Sequence, residues 1–255
     1  MNKEKRKILF LVEGEYLEKE VFSEMANLYN LKYEIVCLRC NIFMLYNIMK
    51  SYDFNASIKD ILIERIDKNI NDDEAIVLKN NKFAYTYLIM DFDIQHFKND
   101  IPKALKQINE MCSYFSNETD DTIGKLYINY PMMESFRDRN GFIDDSFIEK
   151  TIKLEEFVNY KMLVGNTGLS SIHINEYRKD GFNSIIKSNI VKALLKLFDV
   201  NEISYKKYVE YLTTLSIYVK QKEILHNDYI YVLNTSMNFV VDYYGEKFFN
   251  ILFGL

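Results

Sequence analysis

Along the first half of the chain, short unbroken apolar runs alternate with stretches whose apolar residues fall at helical spacing. Lys7–Val12 is a compact run, Gly14 punctuates it, and Glu15–Leu28 carries Leu17, Val21, Phe22, Met25 and Leu28 on one stripe, the pattern of strand, turn and amphipathic helix. Tyr33–Leu38 predicts a second strand and Ile42–Met49 a second helix. Ser51–Asn81 is polar and charged around Ile58–Ile66, which predicts an inserted helix flanked by loops. Phe83–Met90 is a strongly apolar strand ending on Asp91. Ile101–Phe115 predicts an amphipathic helix, with Asp100 as N-cap and Pro102 in the first turn. After the polar loop Ser116–Gly124, Lys125–Tyr130 reads as a fourth strand closed by Pro131.

Strands alternating with helices imply an α/β core with a mostly parallel sheet flanked by helices. Beyond residue 140 the pattern changes: Ser146–Leu163, Asn183–Phe198, Ser204–Lys222 and Ser236–Phe253 predict helices, with Tyr229–Leu233 the one strand-like run. The expected division is an α/β core over residues 1–139, with an insertion at about 51–81, and a mainly helical carboxyl-terminal region over 140–255. Apolar positions such as Ile190, Leu194, Leu195 and Phe198 give that region a face to pack on the core or to form a partner or dimer surface.

Composition sharpens this reading. With 255 residues, 48% of them hydrophobic, the chain can bury a real core. Only 8 Gly and 2 Pro argue against an all-β sandwich or barrel, which needs many tight turns. The abundance of Lys, Asn, Ile and Tyr reads as an AT-rich coding bias. A net charge of −5 argues against a generally basic nucleic-acid surface, and leaves a local basic face or a basic partner as the route to one. The apolar run Ile8–Val12 behind the basic start is too short for a signal segment, and no stretch reaches the length of a membrane span. Three cysteines, an odd number, imply no disulfide framework and a reducing cytoplasm. Cys37 and Cys40 form one CxxC, but Cys112, His96, His173 and His226 show no matching zinc spacing, so the pair reads as buried strand-end cysteines.

The chemistry lies in carboxylates placed just after predicted strands: Glu13, the pair Asp91 and Asp93, and Glu134 after Pro131. Open α/β sheets bind ligands at such strand ends. If the extended backbone persists, Asp91 and Asp93 face the same way and offer two hard oxygen ligands. Mg²⁺ or Mn²⁺ suits that set, because Mg²⁺ takes one or two carboxylates plus waters and phosphate oxygens. Taken singly each acid has a plainer reading: a strand-end aspartate pair caps a helix or faces solvent, and Glu15 and Glu18 suit a helix's first turn.

Glu13-Gly14-Glu15-Tyr16-Leu17-Glu18, Asp91-Phe92-Asp93 and Tyr130-Pro131-Met132-Met133-Glu134, in this order, resemble the Toprim domain of topoisomerases, primase-type enzymes and the OLD and RloB-like nucleases. The nearest pattern is that of the RloB-like, abortive-infection-associated group, Glu-Gly-x-x-Thr-Glu, then DxD, then Asn-Pro-x-x-Glu. Leu17 stands where that pattern has Thr, and Tyr130 where it has Asn. The resemblance covers residues 7–137. It implies a Toprim-like sheet and Mg²⁺- or Mn²⁺-dependent cleavage of phosphodiester bonds in DNA or in RNA such as tRNA, within an anti-phage defence system. By the same resemblance Glu13, Asp91 and Asp93 surround the metal, Glu13 doubles as general acid or base, and Glu18 and Glu134 complete a second metal position. Arg137 and Arg139 are candidate phosphate contacts. The chain has no GxxxxGK[ST], so an ATPase would be a separate subunit. Two other classes fit part of the pattern: a DxD transferase holding a nucleotide-sugar, which Glu13-Gly14 does not support, and a non-catalytic binding module.

Overall fold

Lys-Ile-Leu-Phe-Leu-Val is apolar on both alternating faces, which only a strand covered on both sides can satisfy. In the computed structural model, which describes residues 7–64, 72–97, 100–115 and 123–255, this segment is strand β1, Lys7–Val12, with Ile8 through Val12 fully buried. It is central in a four-stranded sheet of order β2-β1-β3-β4, where β2 is Lys32–Cys37, β3 is Tyr85–Asp91 and β4 is Lys125–Asn129. β1 runs parallel to both neighbours, with Val12 opposite Cys37 on one side and Ile89 on the other. The helix Leu17–Leu28 lays Phe22 on Phe10, ring centroids 5.3 Å apart, and Tyr87 of β3 reaches the same ring at 5.9 Å.

The order 2-1-3-4 means that the chain leaves β1 towards one edge, returns past it and continues towards the other. The crevice between β1 and β3, at their carboxyl ends, is therefore the topological switch point of the sheet. The helix Ile42–Lys50 starts on an N-cap, Asn41, whose side chain accepts from Met44 N at 3.0 Å. Among its described residues the insertion holds the helices Ile58–Glu64 and Asp72–Asn80. The far end of the expected inserted helix, at Ile66, lies outside the described residues, as do the basic start and residues 116–122 of the polar loop.

Contacts divide the chain into two compact units, residues 1–91 with 102–127, and residues 92–101 with 128–255. The second unit thus begins before residue 140. Tyr130 bridges to Leu233, and Thr235 Oγ1 donates to Ile128 O at 2.8 Å, so the end of β4 is held by the carboxyl-terminal region.

Within the second unit the expected helix Ser146–Leu163 is corrected. The segment forms a 3₁₀ turn at Asp145–Glu149, strand β5 at Thr151–Lys153, a second 3₁₀ turn at Leu154–Asn159 and a short helix at Tyr160–Val164. Thr-Ile-Lys alternates polar and apolar with two β-branched residues, and it pairs antiparallel with β6, Tyr229–Tyr231, the strand-like run of the sequence. Ser204–Lys222 is broken into Tyr205–Tyr211 and Thr214–Leu225, because Thr213 turns its hydroxyl to Ser216 N at 3.1 Å and restarts the helix. Asn183–Phe198 extends earlier, as Arg178–Lys192, and ends in a π turn over Ala193–Leu197; Ile190 and Leu194 are buried there. Among the described residues no helix is long and apolar enough to cross a membrane.

A buried polar knot joins the parts of this unit. Asn234 N donates to Asn189 Oδ1 (2.9 Å) and Asn234 Nδ2 to Met133 O (3.0 Å), while Asn234 Oδ1 accepts from Ser236 Oγ (2.9 Å) and Met237 N (3.3 Å). Asn234→Ala strands three of these partners inside the protein, so we expect a loss of about 3 kcal/mol in urea denaturation. Thr213→Ala, which removes one half-buried helix cap, should lose about 1 kcal/mol. Equal losses would mean that the knot is readily replaced.

Candidate functional site

The carboxyl end of β1 delivers Glu13 into the switch-point crevice, beside the last residues of β3. Asp91 N donates to Glu13 Oε2 at 3.2 Å, so the first-strand acid is tied to the backbone of the third strand's terminal aspartate. Asp91 is 7% exposed. Its neighbour strand contributes to the same loop: Cys37 Sγ donates to Gly14 O at 3.1 Å, and Leu38 N to Val12 O at 2.8 Å.

Gly14 has a steric reason to be glycine. A Cβ there would stand 2.6 Å from Glu18 Oε2, so the bare backbone lets the Glu18 carboxylate fold back against the loop from the first turn of its helix. The loop is clamped from the other side by Arg39, which ion-pairs with Glu15, donates to Cys37 O at 3.0 Å and to Glu74 Oε2 at 2.6 Å. Glu74 also accepts from Cys37 N at 3.1 Å and is nearly buried. Sequence reasoning missed Arg39 and Glu74. The only signal was the acidic start Asp72-Asp73-Glu74 of the insertion, and nothing local says that the third acid turns inward.

β3 ends at Asp91, and Asp93 adopts φ 44°, in the left-handed region that Asp tolerates. The same-face argument for Asp91 and Asp93 therefore does not apply, since the extended backbone stops between them. Asp93, in the second unit, accepts from Gln95 Nε2 at 2.8 Å and lies 3.6 Å from His96 Nε2. Glu134, in the 3₁₀ turn Met133–Arg137, is 6% exposed; its Oε1 is 3.3 Å from Lys161 Nζ, and its Oε2 is buried without a hydrogen bond among the described residues.

Arg137 is half-buried over the Phe136 ring, 5.9 Å from its centroid. Arg139 is an interior residue, 1% exposed, with its guanidinium 3.9 Å from the Phe147 centroid and Nη1 donating to Ser188 Oγ at 2.7 Å. Burial pulls its pKa down to about 10, against the attraction of Asp144 and Asp138. Lys192 lies 4.2 Å from the same Phe147 centroid and donates to Phe147 O (2.7 Å) and Lys150 O (2.6 Å); burial holds its pKa well below the usual lysine value. Asp138 neutralises this region through Lys150 and the Tyr160 hydroxyl, 2.9 Å away.

The structure thus brings Glu13 and Asp91 together, with Glu18 folded over the adjoining loop. Among the described residues no three His, Cys, Asp or Glu side chains gather closely enough to hold a metal ion. Cys37 and Cys40 are buried, as the CxxC reading expected, and so is Cys112. Comparison of the chain with protein-family models, with curated proteins and with solved structures finds no match.

Two measurements check this geometry. Arg139→Ala should cost about 3–5 kcal/mol in urea denaturation, because it unbalances a buried charge group, whereas Arg137→Ala should cost about 1 kcal/mol or less. Burial raises the Cys37 thiol from 9.0 to about 11. Its reaction with a disulfide reagent at pH 8 should be slow in the native protein and fast in denaturant, with the native rate climbing towards pH 11. The unfolded chain releases this proton first, so Cys37 subtracts stability as pH rises from about 9 to about 11, and Cys37→Ser should flatten that fall.

Proposed function

We propose that this chain is a metal-dependent nuclease of Toprim type, hydrolysing phosphodiester bonds of DNA or RNA with Mg²⁺ or Mn²⁺ in a bacterial defence system. The observation that carries the reading is the hydrogen bond from Asp91 N to Glu13 Oε2 at the switch point of a 2-1-3-4 sheet. Two acids distant in sequence meet where such folds bind ligands.

The residues present suit a hard divalent ion in two respects. Glu13 and Asp91 supply the one or two carboxylates that Mg²⁺ takes when waters and phosphate oxygens complete its shell. Glu134 keeps a buried carboxylate oxygen with no hydrogen-bond donor among the described residues, the kind of group a cation stabilises. When bound, the ion supplies stabilisation of phosphate charge and acidification of an attacking water. The chain's own work is positional. Asp91 N orients Glu13, Cys37 and Arg39 fix the loop, and Gly14 admits Glu18, so the carboxylates meet substrate with little reorganisation. Asp93 belongs to the proposed set through its place in the DxD sequence, and Arg137 is the more accessible of the two arginines for a phosphate. ATP hydrolysis, if the system uses it, falls to a partner subunit.

A second reading, a binding module without catalysis, is favoured by the lack of a three-acid cluster among the described residues. Asp91→Ala separates the two cleanly, because it deletes the carboxylate and keeps the backbone N–H on which Glu13 rests. On the nuclease reading, Asp91→Ala, Asp93→Ala and Glu13→Gln reduce cleavage of plasmid or tRNA to the level seen in EDTA. Wild type should melt higher with Mg²⁺ or Mn²⁺ than in EDTA and the variants should not, while the stability of Asp91→Ala and Glu13→Gln in EDTA stays within about 0.5 kcal/mol or rises as acid repulsion is relieved; Asp93→Ala should itself lose about 1 kcal/mol, because it puts Ala at a positive φ and removes the acceptor of Gln95 Nε2. Undiminished cleavage in all three variants would leave the binding module standing.

A further inference from the structure

The arginines that the sequence offered for phosphate, Arg137 and Arg139, both lie in the second unit, Arg139 in its interior. The unit that holds Glu13 and Asp91 carries a guanidinium of its own against the Glu13 loop. Arg39 stands two residues past the carboxyl end of β2, beside the end of β1, where Leu38 N donates to Val12 O at 2.8 Å. Its backbone has φ 50°, in the left-handed region that a side chain of this size adopts only at a cost. Such a conformation persists where surrounding contacts fix it, and the contacts that fix this one are made by the guanidinium.

Two of those contacts are anchors. Nη1 donates to Cys37 O at 3.0 Å and to Glu74 Oε2 at 2.6 Å, and Glu74, nearly buried, is held in turn by Cys37 N at 3.1 Å. The third contact differs in kind. Nε pairs with Glu15, whose side chain is 41% exposed against 30% for that of Arg39, so this bond forms in reach of solvent, where an ion pair contributes little. The charges behind it are uneven as well. Lys19 Nζ lies 3.7 Å from Glu74 Oε1, so Lys19 and Arg39 together face one interior carboxylate. With Glu15 turned aside, these three groups keep one positive charge in excess. A guanidinium anchored along one edge and open to solvent along the other suits an anion with several oxygens, and phosphate is such an anion.

We propose that Arg39 contacts the phosphodiester backbone of the substrate and that Glu15 occupies the place of that phosphate until the substrate arrives. The inference rests on the nuclease reading, which puts a phosphate at this end of the sheet. On binding, the guanidinium keeps Cys37 O and Glu74 and exchanges Glu15 for a phosphate oxygen. The loop stays held by the hydrogen bond from Cys37 Sγ to Gly14 O. Glu15 is then an internal competitor, and its removal strengthens binding, the reverse of what loss of a structural clamp would do.

The test is binding of a short fluorescein-labelled DNA duplex, and of labelled tRNA, to the full chain in EDTA over a series of KCl concentrations, with cleavage by wild type in Mg²⁺ followed separately. Glu15→Gln should bind about two- to fivefold tighter than wild type, because the nucleic acid no longer has to break a surface ion pair. Arg39→Gln should bind more weakly and reduce the slope of log K against log salt by about one, the signature of one lost phosphate contact. Glu15→Gln, at an exposed position, decides the matter even where Arg39→Gln fails to fold. Should wild type bind and cleave while Arg39→Gln keeps its affinity and slope, or while Glu15→Gln binds no tighter, the proposal is overturned and the nuclease reading stands. A wild type that binds neither nucleic acid overturns both.

Discussion

β1 is bound on both edges and buried on both faces, and the register of those two pairings sets the height of everything at the sheet's carboxyl end. Val12 stands opposite Ile89, so the next residue, Glu13, comes level with the end of β3 and meets Asp91 N. A slip of one position would exchange the faces of every side chain in the strand and carry the acid away from that N–H. The apolar run Ile-Leu-Phe-Leu-Val is therefore a positional device as well as a core. Its complete burial makes any other register costly, and the clamp of Cys37, Arg39 and Glu74 then needs to restrain only a short loop.

The second unit is organised by polar groups inside apolar surroundings. Asn189, Asn234 and Ser236 close one network, and Arg139 and Lys192 approach one phenylalanine ring closely, at 3.9 and 4.2 Å from its centroid. Burial strips both cations of hydration and lowers the pKa of each, and the Arg139 charge lowers that of Lys192 further. Carbonyl oxygens of Phe147 and Lys150 and the carboxylate of Asp138, itself held by Lys150 and Tyr160, offset the cost. Such an interior leaves little tolerance for substitution, since each group removed exposes another.

The α/β core was legible because β1, β3 and β4 are largely buried and read as apolar runs, and β2 keeps that pattern at Ile35–Cys37; each of β1 to β4 lies within two residues of its expected bounds. Glu13 and Asp91 were legible for the same reason, being the first charges after such runs. Past residue 140 the reading failed where elements are shorter than the helical period can reveal. Thr151–Lys153 is three residues long, and its partner lies far along the chain. The interior location of Arg139 was hidden too, because a guanidinium enters a core only when a ring and counter-charges from distant segments receive it, and local pattern carries no trace of them.

The division of the chain also orders events in time. The polypeptide passes between its two units at 91/92, at 101/102 and at 127/128, so residues 92–101 belong with a unit whose remaining sequence is made after residue 127. During synthesis Asp91 finds its partner strand already present, since β1 precedes it by many residues. Asp93, two positions later, lies in a segment whose unit is completed only by residues 128–255. Two acids of one short motif thus belong to units completed at different points of synthesis, that of Asp91 by residue 127 and that of Asp93 only at the carboxyl-terminal half.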